Sequence, residues 1–381
     1  MTAAGVPSRP GDRLSDVAGM TVGHWQRLDD EVSIGTLTEA GAGWATGTTV
    51  VAVPDGATTA VDVRGGGPGT RETDLLDPVN TVLGAHAIVL TGGSAYGLAA
   101  AEGVMEALEK AGRGLPMDLL GHVVPIVPAA VIFDLPVGGW TQRPGAGAGA
   151  YALGAATADF AIGTVGAGTG ARAGALKGGV GTASSILDEG PARGMTVGAL
   201  VVANPVGAVI DPDTGLPWGR DDLVHHGLVD PDPAEVAAHA ALLAKGTVLN
   251  TTIGVIATDA RLSVADTRRL AMSGHDGLAR AIRPAHSPMD GDTLFAVATG
   301  TATADPESAV PMPPGMSADA PVVAALCAAA ATVTQRAVVS AVLAATAVGA
   351  VPAYRDVLGS ALRQIPSRQT PLRQTPSRET R

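Results

Sequence analysis

Cysteine is nearly missing from this chain. A single residue, Cys327, stands among 381, so no internal disulfide can form, and its place in an Ala-rich run reads as a small buried hydrophobe. A reducing cytoplasm is the natural compartment. Aromatic residues are scarce as well, 3 % of a chain that is 46 % hydrophobic. The core must therefore be built from Ala, Val, Leu and Ile, which fill space only when layers approach closely. Positive charge is in deficit, with 25 Lys and Arg against 36 Asp and Glu and a net charge of −11. That balance supplies no basic face for phosphates, so nucleic acid is not an expected partner, and a small neutral or cationic substrate fits better. The first thirteen residues lack the apolar core of a signal peptide. No apolar run is long enough to span a bilayer unbroken, because Gln335 and Arg336 divide residues 321–351 into two short Ala-rich arms. The run reads as buried helix, and no membrane partner is expected.

Two further absences narrow the chemistry. His225-His226 and the scattered His24, His86, His122, His239, His275 and His286 have no paired ligand spacing, so no metal is implied. Gly166, Gly168 and Gly170 imitate a dinucleotide fingerprint, but the third glycine is displaced and no suitable strand precedes it, so no cofactor is implied.

What is present reads as one α/β domain with two appendages: a loose Pro, Gly and charge-rich lead-in over residues 1–20, a domain over 21–357, and a tail over 358–381. The tail repeats Q-I-P-S-R, Q-T-P-L-R and Q-T-P-S-R without hydrophobic periodicity and is expected to be disordered. Short β-branched runs predict strands between residues 20 and 63 and over 85–90, 123–127, 196–202, 208–210, 252–258 and 293–298. Helices are predicted after the Gly92-Gly93-Ser94 turn and over 233–243, 263–273 and 322–347. Residues 145–181 are extremely rich in Gly and Ala, yet their interleaved Val, Ile and Leu argue for tight turns within a folded layer.

The most informative stretch is G-T-V-L-N-T-T-I-G-V-I-A-T-D at 246–259, where an Asn-Thr bond precedes an apolar, β-rich run. If that bond breaks itself, Thr251 becomes an N-terminus whose hydroxyl is a nucleophile and whose α-amine is its base. The amine's reference pKa of about 8 suits it to take the hydroxyl proton near neutrality. Lys245-Gly246 upstream would form the released loop. Thr is also ordinary at strand starts, and Asn80-Thr81 repeats the dipeptide where only a turn is expected. Only three asparagines occur, Asn80, Asn204 and Asn250. Asn204, in V-V-A-N-P, has an amide able to donate to an oxyanion, or forms an Asn-Pro turn. Lys177, in a Gly-rich region, would face the substrate carbonyl or the nucleophile's amine, or simply be solvated. Asp290 and Asp292 bracket Gly291 and would leave one face of an extended segment, or form a hairpin turn. Ser94 lacks the Gly that a nucleophile elbow needs two residues later; Tyr96 stands there.

The 246–259 stretch, M-D-G-D-T-L-F-A-V (289–297), V-V-A-N-P-V-G (201–207), D-V-R-G-G-G-P-G-T (62–70) and T-G-G-S-A-Y-G (91–97) together resemble the P1 (DmpA-type) family of self-processing peptidases. That family includes L-aminopeptidase/D-esterases and nylon-oligomer hydrolases, and the resemblance runs from about residue 21 to 351. It implies an αββα layered sandwich of the DmpA/ornithine acetyltransferase type and a cut between Asn250 and Thr251 into chains 1–250 and 251–381. Thr251 would then be the nucleophile, Asn204 and Lys177 would stabilise the oxyanion, and Asp290 and Asp292 would orient the amine. It also implies a homo-oligomer of αβ units acting on a small peptide, amide or ester. Alternatives within the resemblance are hydrolysis of ω-amino-acid (nylon) oligomers and acyl transfer of the ornithine acetyltransferase kind. One departure bears on the former: Phe133 stands where nylon-oligomer hydrolases carry a Tyr hydroxyl.

Overall fold

The computed structural model describes residues 11–218, 225–243, 250–302 and 310–362. The Lys245-Gly246 loop, residues 1–10 and the repeats of the tail lie outside the described residues.

Strands β1 (Thr21–Leu28), β2 (Ala45–Val63), β3 (Thr70–Arg71) and β4 (Gly84–Thr91) are followed by helix α1 (Ala100–Lys110). A small hairpin, β5 (Leu115–Pro116) with β6 (Val123–Val124), leads to β7 (Ala129–Val131) and α2 (Ala146–Gly154). A second hairpin, β8 (Arg172–Ala173) with β9 (Leu176–Lys177), precedes β10 (Gly179–Ile186) and β11 (Thr196–Ala203). Then come α3 (Pro233–Leu243), β12 (Ile253–Thr258), α4 (Val264–Ala281), β13 (Thr293–Ala298) and α5 (Ala320–Ala344).

Nine strands form one mixed sheet in the order β10-β11-β12-β13-β2-β4-β7-β3, with β1 also on β2. The sheet curls because β2, 19 residues long, serves both of its halves. Its first half pairs with β1 and β4, and its second half with β13. Pairing with β4 shifts register between Ala52 and Ala57, around Pro54-Asp55-Gly56, which bends the strand as a bulge does.

Period-two alternation then fills four layers. In β12 Val255 and Ala257, in β13 Phe295 and Val297, and in β4 Ile88 and Leu90 point between the two halves of the sheet. Ile256, Leu294 and Ala296 point outward onto Leu270 and Leu278 of α4 and Leu326 and Val333 of α5. On the opposite outer face Ala87 and Val89 meet Val104 of α1 and Ala152 of α2. The result is helices, sheet, sheet, helices, the αββα sandwich that the resemblance implied. Each fully buried Leu of α4 contributes about 1.5–3 kcal/mol to this packing.

Several boundaries differ from expectation. The lead-in is packed from residue 11: Leu14, Val17 and Met20 are buried, and the Leu14 N–H donates to Thr182 Oγ1 at 2.8 Å. The folded chain also runs past 358, since Leu358 and Ala361 are fully buried and the Ser360 hydroxyl donates to Glu235. Residues 123–127 contribute only the two-residue β6, and 208–210 only isolated bridges to Arg283 and Pro217. α5 is continuous through Gln335-Arg336, and Arg336, buried, pairs with Asp12 at 2.6 Å. Among the described residues α5 is the one helix long and apolar enough to cross a membrane, with half of its most apolar window buried in the fold.

Candidate active site

Thr251 lies two residues before β12, where the central strands leave the sheet toward Asn204 at the end of β11. Its side chain is buried, its N–H donates to the Asn204 carbonyl at 2.8 Å, and its hydroxyl donates to the Asn250 carbonyl oxygen at 2.5 Å. The hydroxyl is thus held against the carbonyl of the peptide bond preceding it. The Asn250 side chain donates to the Pro205 carbonyl at 2.9 Å, anchoring the residue on the other side of that bond.

Asp290 and Asp292 clamp the backbone around Thr251. Asp292 Oδ1 accepts from the Thr252 N–H at 3.0 Å, and its Oδ2 accepts from the His286 N–H at 3.0 Å and faces His286 Nδ1 at 2.8 Å. Asp290 accepts from the Val206 N–H at 2.9 Å and the Ser287 hydroxyl at 2.7 Å. Burial raises the Asp290 carboxyl above the ordinary carboxylate range and the charge of Asp292 adds to this, while the Val206 and Ser287 donors pull it down. Of these hydrogen bonds, the one from the Thr252 N–H to Asp292 reaches a residue adjoining Thr251, while the others go to Val206, His286 and Ser287. Between them Gly291 brings bare backbone against the hydroxyl, for a Cβ there would stand 2.9 Å from Thr251 Oγ1. The 62–70 motif closes over the turn, with Arg64 N–H donating to the Asp292 carbonyl and Gly67 N–H to that of Asp290.

Asn204 meets Thr251 through its main chain. Its side chain is fixed, Oδ1 accepting from the Arg172 N–H at 2.8 Å and Nδ2 facing the Phe133 carbonyl at 3.4 Å. Phe133 thus approaches Asn204 with its backbone, while its ring packs edge-on against Trp140. Lys177 is fully buried in β9, and its ammonium donates to the carbonyls of Gly168 at 2.7 Å and Gly178 at 2.8 Å rather than to Thr251. Burial pushes it down to about 7, opposed by the charge of Asp134. Asp134 is itself pushed up to about 6 by burial, against hydrogen bonds from the Thr46 hydroxyl at 2.6 Å and the Gly93 N–H at 2.6 Å.

Asp134, Arg172, His286 and Ser287 thus join the residues read from sequence. A lone carboxylate in the apolar run V-I-F-D-L was a signal available for Asp134, since an acid there must be partnered. The other three carried none. Ser94 sits at φ 52 on its turn, and its N–H donates to the Ile132 carbonyl, while Gly97 packs its α-carbon on the Gly92 carbonyl. The glycines there serve close packing. A cavity of about 560 Å³ lies on the outer face of α4 and α5, lined by Arg268, Met272, Val323 and Cys327 among others, apart from Thr251.

A curled mixed sheet between two helical layers is an arrangement found in the N-terminal-nucleophile hydrolase fold. At the level of fold it matches the L-aminopeptidase D-Ala-esterase/amidase of Ochrobactrum anthropi, whose structure is described as a variant of that fold (TM-score 0.65, 23 % identity, 94 % of this chain and 93 % of that one). The particular family follows from sequence: residues 12–354 match peptidase family S58, and the chain belongs to it. An uncharacterized aminopeptidase of Mycobacterium tuberculosis is 55 % identical over 352 residues, covering 91 % of this chain and 98 % of the relative. A 6-aminohexanoate-oligomer endohydrolase of Paenarthrobacter ureafaciens is 33 % identical over 286 residues, 71 % of this chain and 73 % of that protein. The chain is therefore a member of a peptidase family, with relatives that include an aminopeptidase and an amide-oligomer hydrolase by name.

Proposed function

We propose that the protein matures by cutting its own Asn250-Thr251 bond and then hydrolyses amide or ester bonds of small substrates as an aminopeptidase with Thr251 as nucleophile. The observation that carries this reading is the Thr251 hydroxyl at 2.5 Å from the Asn250 carbonyl oxygen, in a turn fixed on both sides. In maturation Oγ1 attacks the Asn250 carbonyl carbon, the C–N bond breaks as the nitrogen gains a proton, and the resulting ester is hydrolysed by water. This frees an Asn250 carboxylate and a Thr251 α-amine. In turnover that amine takes the hydroxyl proton, Oγ1 attacks the substrate carbonyl, the leaving amine or alcohol departs protonated, and water releases the acid.

Asn204 supplies the amide donor for the oxyanion, exchanging its long contact to Phe133 for the developing charge. Asp292, through the Thr252 N–H, and Asp290, through the Val206 N–H, hold the new terminus in place. Lys177, which burial holds at about 7, adds positive charge behind the oxyanion when protonated, more fully below pH 7 than above it. The products of the cut, 1–250 and 251–381, stay together as one αβ unit, and such units assemble into a homo-oligomer in the cytoplasm. Hydrolysis of ω-amino-acid oligomers is a second reading, favoured by the 33 % identity to the 6-aminohexanoate-oligomer endohydrolase.

The test is the intact mass, under denaturing conditions, of the purified protein and its Thr251→Ala variant. Two fragments summing to the precursor plus one water, the smaller beginning at Thr251, are expected for the first and a single chain for the second. A single chain from folded, active wild-type protein overturns the mechanism.

A further inference from the structure

His275 stands where two supports of the site meet. It lies in S-G-H-D-G on α4, and the glycines beside it let the helix press inward. A Cβ on Gly274 would stand 2.1 Å from Ile256 of β12, and one on Gly277 2.3 Å from the Ala331 carbonyl of α5. The imidazole so placed is fully buried. Its Nε2 is 2.9 Å from the Asp62 carbonyl oxygen, which can only accept, so Nε2 carries the ring's proton and Nδ1 is a bare acceptor. Burial pushes the ring down to about 4, which keeps it neutral beside His286. Nδ1 is buried without a hydrogen-bond partner among the described residues. A leucine would bury no unmatched nitrogen, so as packing alone an imidazole is the poorer choice.

What the imidazole reaches is both supports of Asp292. The first is the end of β2. Asp62, held through its carbonyl, leads into Arg64 and Gly65, whose N–H groups donate to the Asp292 carbonyl at 3.0 and 3.3 Å, and Arg64 Nε returns to the Asp62 carboxylate at 2.7 Å. The second is His286, whose N–H and ring Nδ1 hold Asp292 Oδ2. The rings of His275 and His286 meet edge to face with centroids 4.8 Å apart, and His286 Nε2 faces the His275 carbonyl at 3.4 Å. His286 has φ 56, a left-handed backbone that a residue with a side chain keeps only where its surroundings hold it. Asp292, fixed by both supports, accepts the Thr252 N–H beside the nucleophile. We propose that His275 is a positioning residue for Thr251, acting through Asp62 and His286 to fix Asp292 and so to keep the Thr251 hydroxyl against the carbonyl it attacks. This inference rests on Thr251 as the nucleophile.

The experiment follows the fraction of uncut chain by mass against time after synthesis, with Tm in parallel. It compares wild-type protein, His275→Leu, His275→Gln, His286→Leu and the His275→Leu/His286→Leu double variant. His275→Leu drops the donor and is expected to slow the cut about tenfold, as misplacing reacting atoms by about half an ångström does. His275→Gln, whose amide can again donate to the Asp62 carbonyl, is expected to recover much of that rate. In the double variant the combined loss is expected to fall short of the product of the two, because both act on Asp292. A wild-type rate of cutting in His275→Leu, with or without a lowered Tm, makes the residue structural only and overturns the proposal; so does an absence of recovery in His275→Gln, or losses that multiply in full. Absence of the cut in wild-type protein counts instead against Thr251. If His275→Leu fails to accumulate, His275→Met supplies the apolar variant.

Discussion

Replacing Gly291 with alanine would place one methyl group against the Thr251 hydroxyl, and its consequences can be worked from the distances. The added Cβ would lie 2.9 Å from Thr251 Oγ1 and 2.6 Å from the Gly67 carbonyl oxygen, where ordinary contact begins at 3.4 Å. Both neighbours must give by about 0.5–0.8 Å, and the Gly67 oxygen is backbone, tied into the turn through the hydrogen bond of Gly67 N–H to Asp290. Overpacking of this kind costs about 1–3 kcal/mol, a fall of several degrees in Tm for a chain of this size. The larger effect is expected on the cut: misplacing reacting atoms by about half an ångström slows a reaction on the order of tenfold. The assay is the fraction of intact chain by mass spectrometry against time after synthesis, with Tm measured in parallel. Gly147→Ala is the control, because a Cβ there meets nothing within 4 Å and the helix gains up to about 1 kcal/mol. A Gly291→Ala protein that cuts itself at the wild-type rate would refute the placement of this backbone against the nucleophile.

Two further outcomes follow from the buried charges. Asp134 takes its proton more readily folded, at about 6, than unfolded near 3.8, so its contribution to stability is full below about 4 and is lost as pH rises through 6, about 3 kcal/mol in all. Lys177 works oppositely: held at about 7 against 10.5, it costs stability below 7 and that cost is relieved as pH rises toward 10. Stability is thus expected to be lowest between about pH 6 and 7, and Tm against pH should lose its acid limb in Asp134→Asn; an unchanged acid limb would count against the assignment. His286, which gives Asp292 both its N–H and its ring, is a positioning residue: His286→Leu is expected to lower kcat about 10- to 100-fold with little change in KM, and His286→Asn to restore much of it. Equal loss in both variants would show that the ring does not act through that hydrogen bond.

The elements that sequence reasoning reached are those with local signatures. β4, β11, β12 and β13 are short apolar runs, and Ser263, the observed cap of α4, precedes its helix as caps do. β2 was hidden by Pro54-Asp55-Gly56, which reads as a turn between two strands but is bulged within one, because pairing on both flanks holds it extended. Residues 123–127 and 208–210 have strand composition but find no place in the main sheet. At the site, Thr251, Asn204, Asp290 and Asp292 were legible because each sits in a compact motif. Lys177 stood out in its Gly-rich setting, but its partners did not, since they are backbone carbonyls. Arg172 and Asp134 depend on contacts made across tens of residues, and no local pattern announces such pairing. His286 lies only six residues from Asp292, but what joins them is a backbone at φ 56 that composition does not reveal.

The strand order decides what a cut before Thr251 would leave behind. β12 lies between β11 and β13, and β13 between β12 and β2, so the pair of strands that follows the cut is held on each side by a strand that precedes it. Neither piece owns a finished sheet: separation would strip hydrogen bonds from β11 and β2 and open two hydrophobic layers at once. The two pieces would unfold and separate in one cooperative step, with a melting temperature that falls on dilution as it does for any obligate complex, and neither, produced alone, should fold without the other. The new terminus is therefore gained without loosening the molecule that must hold it still.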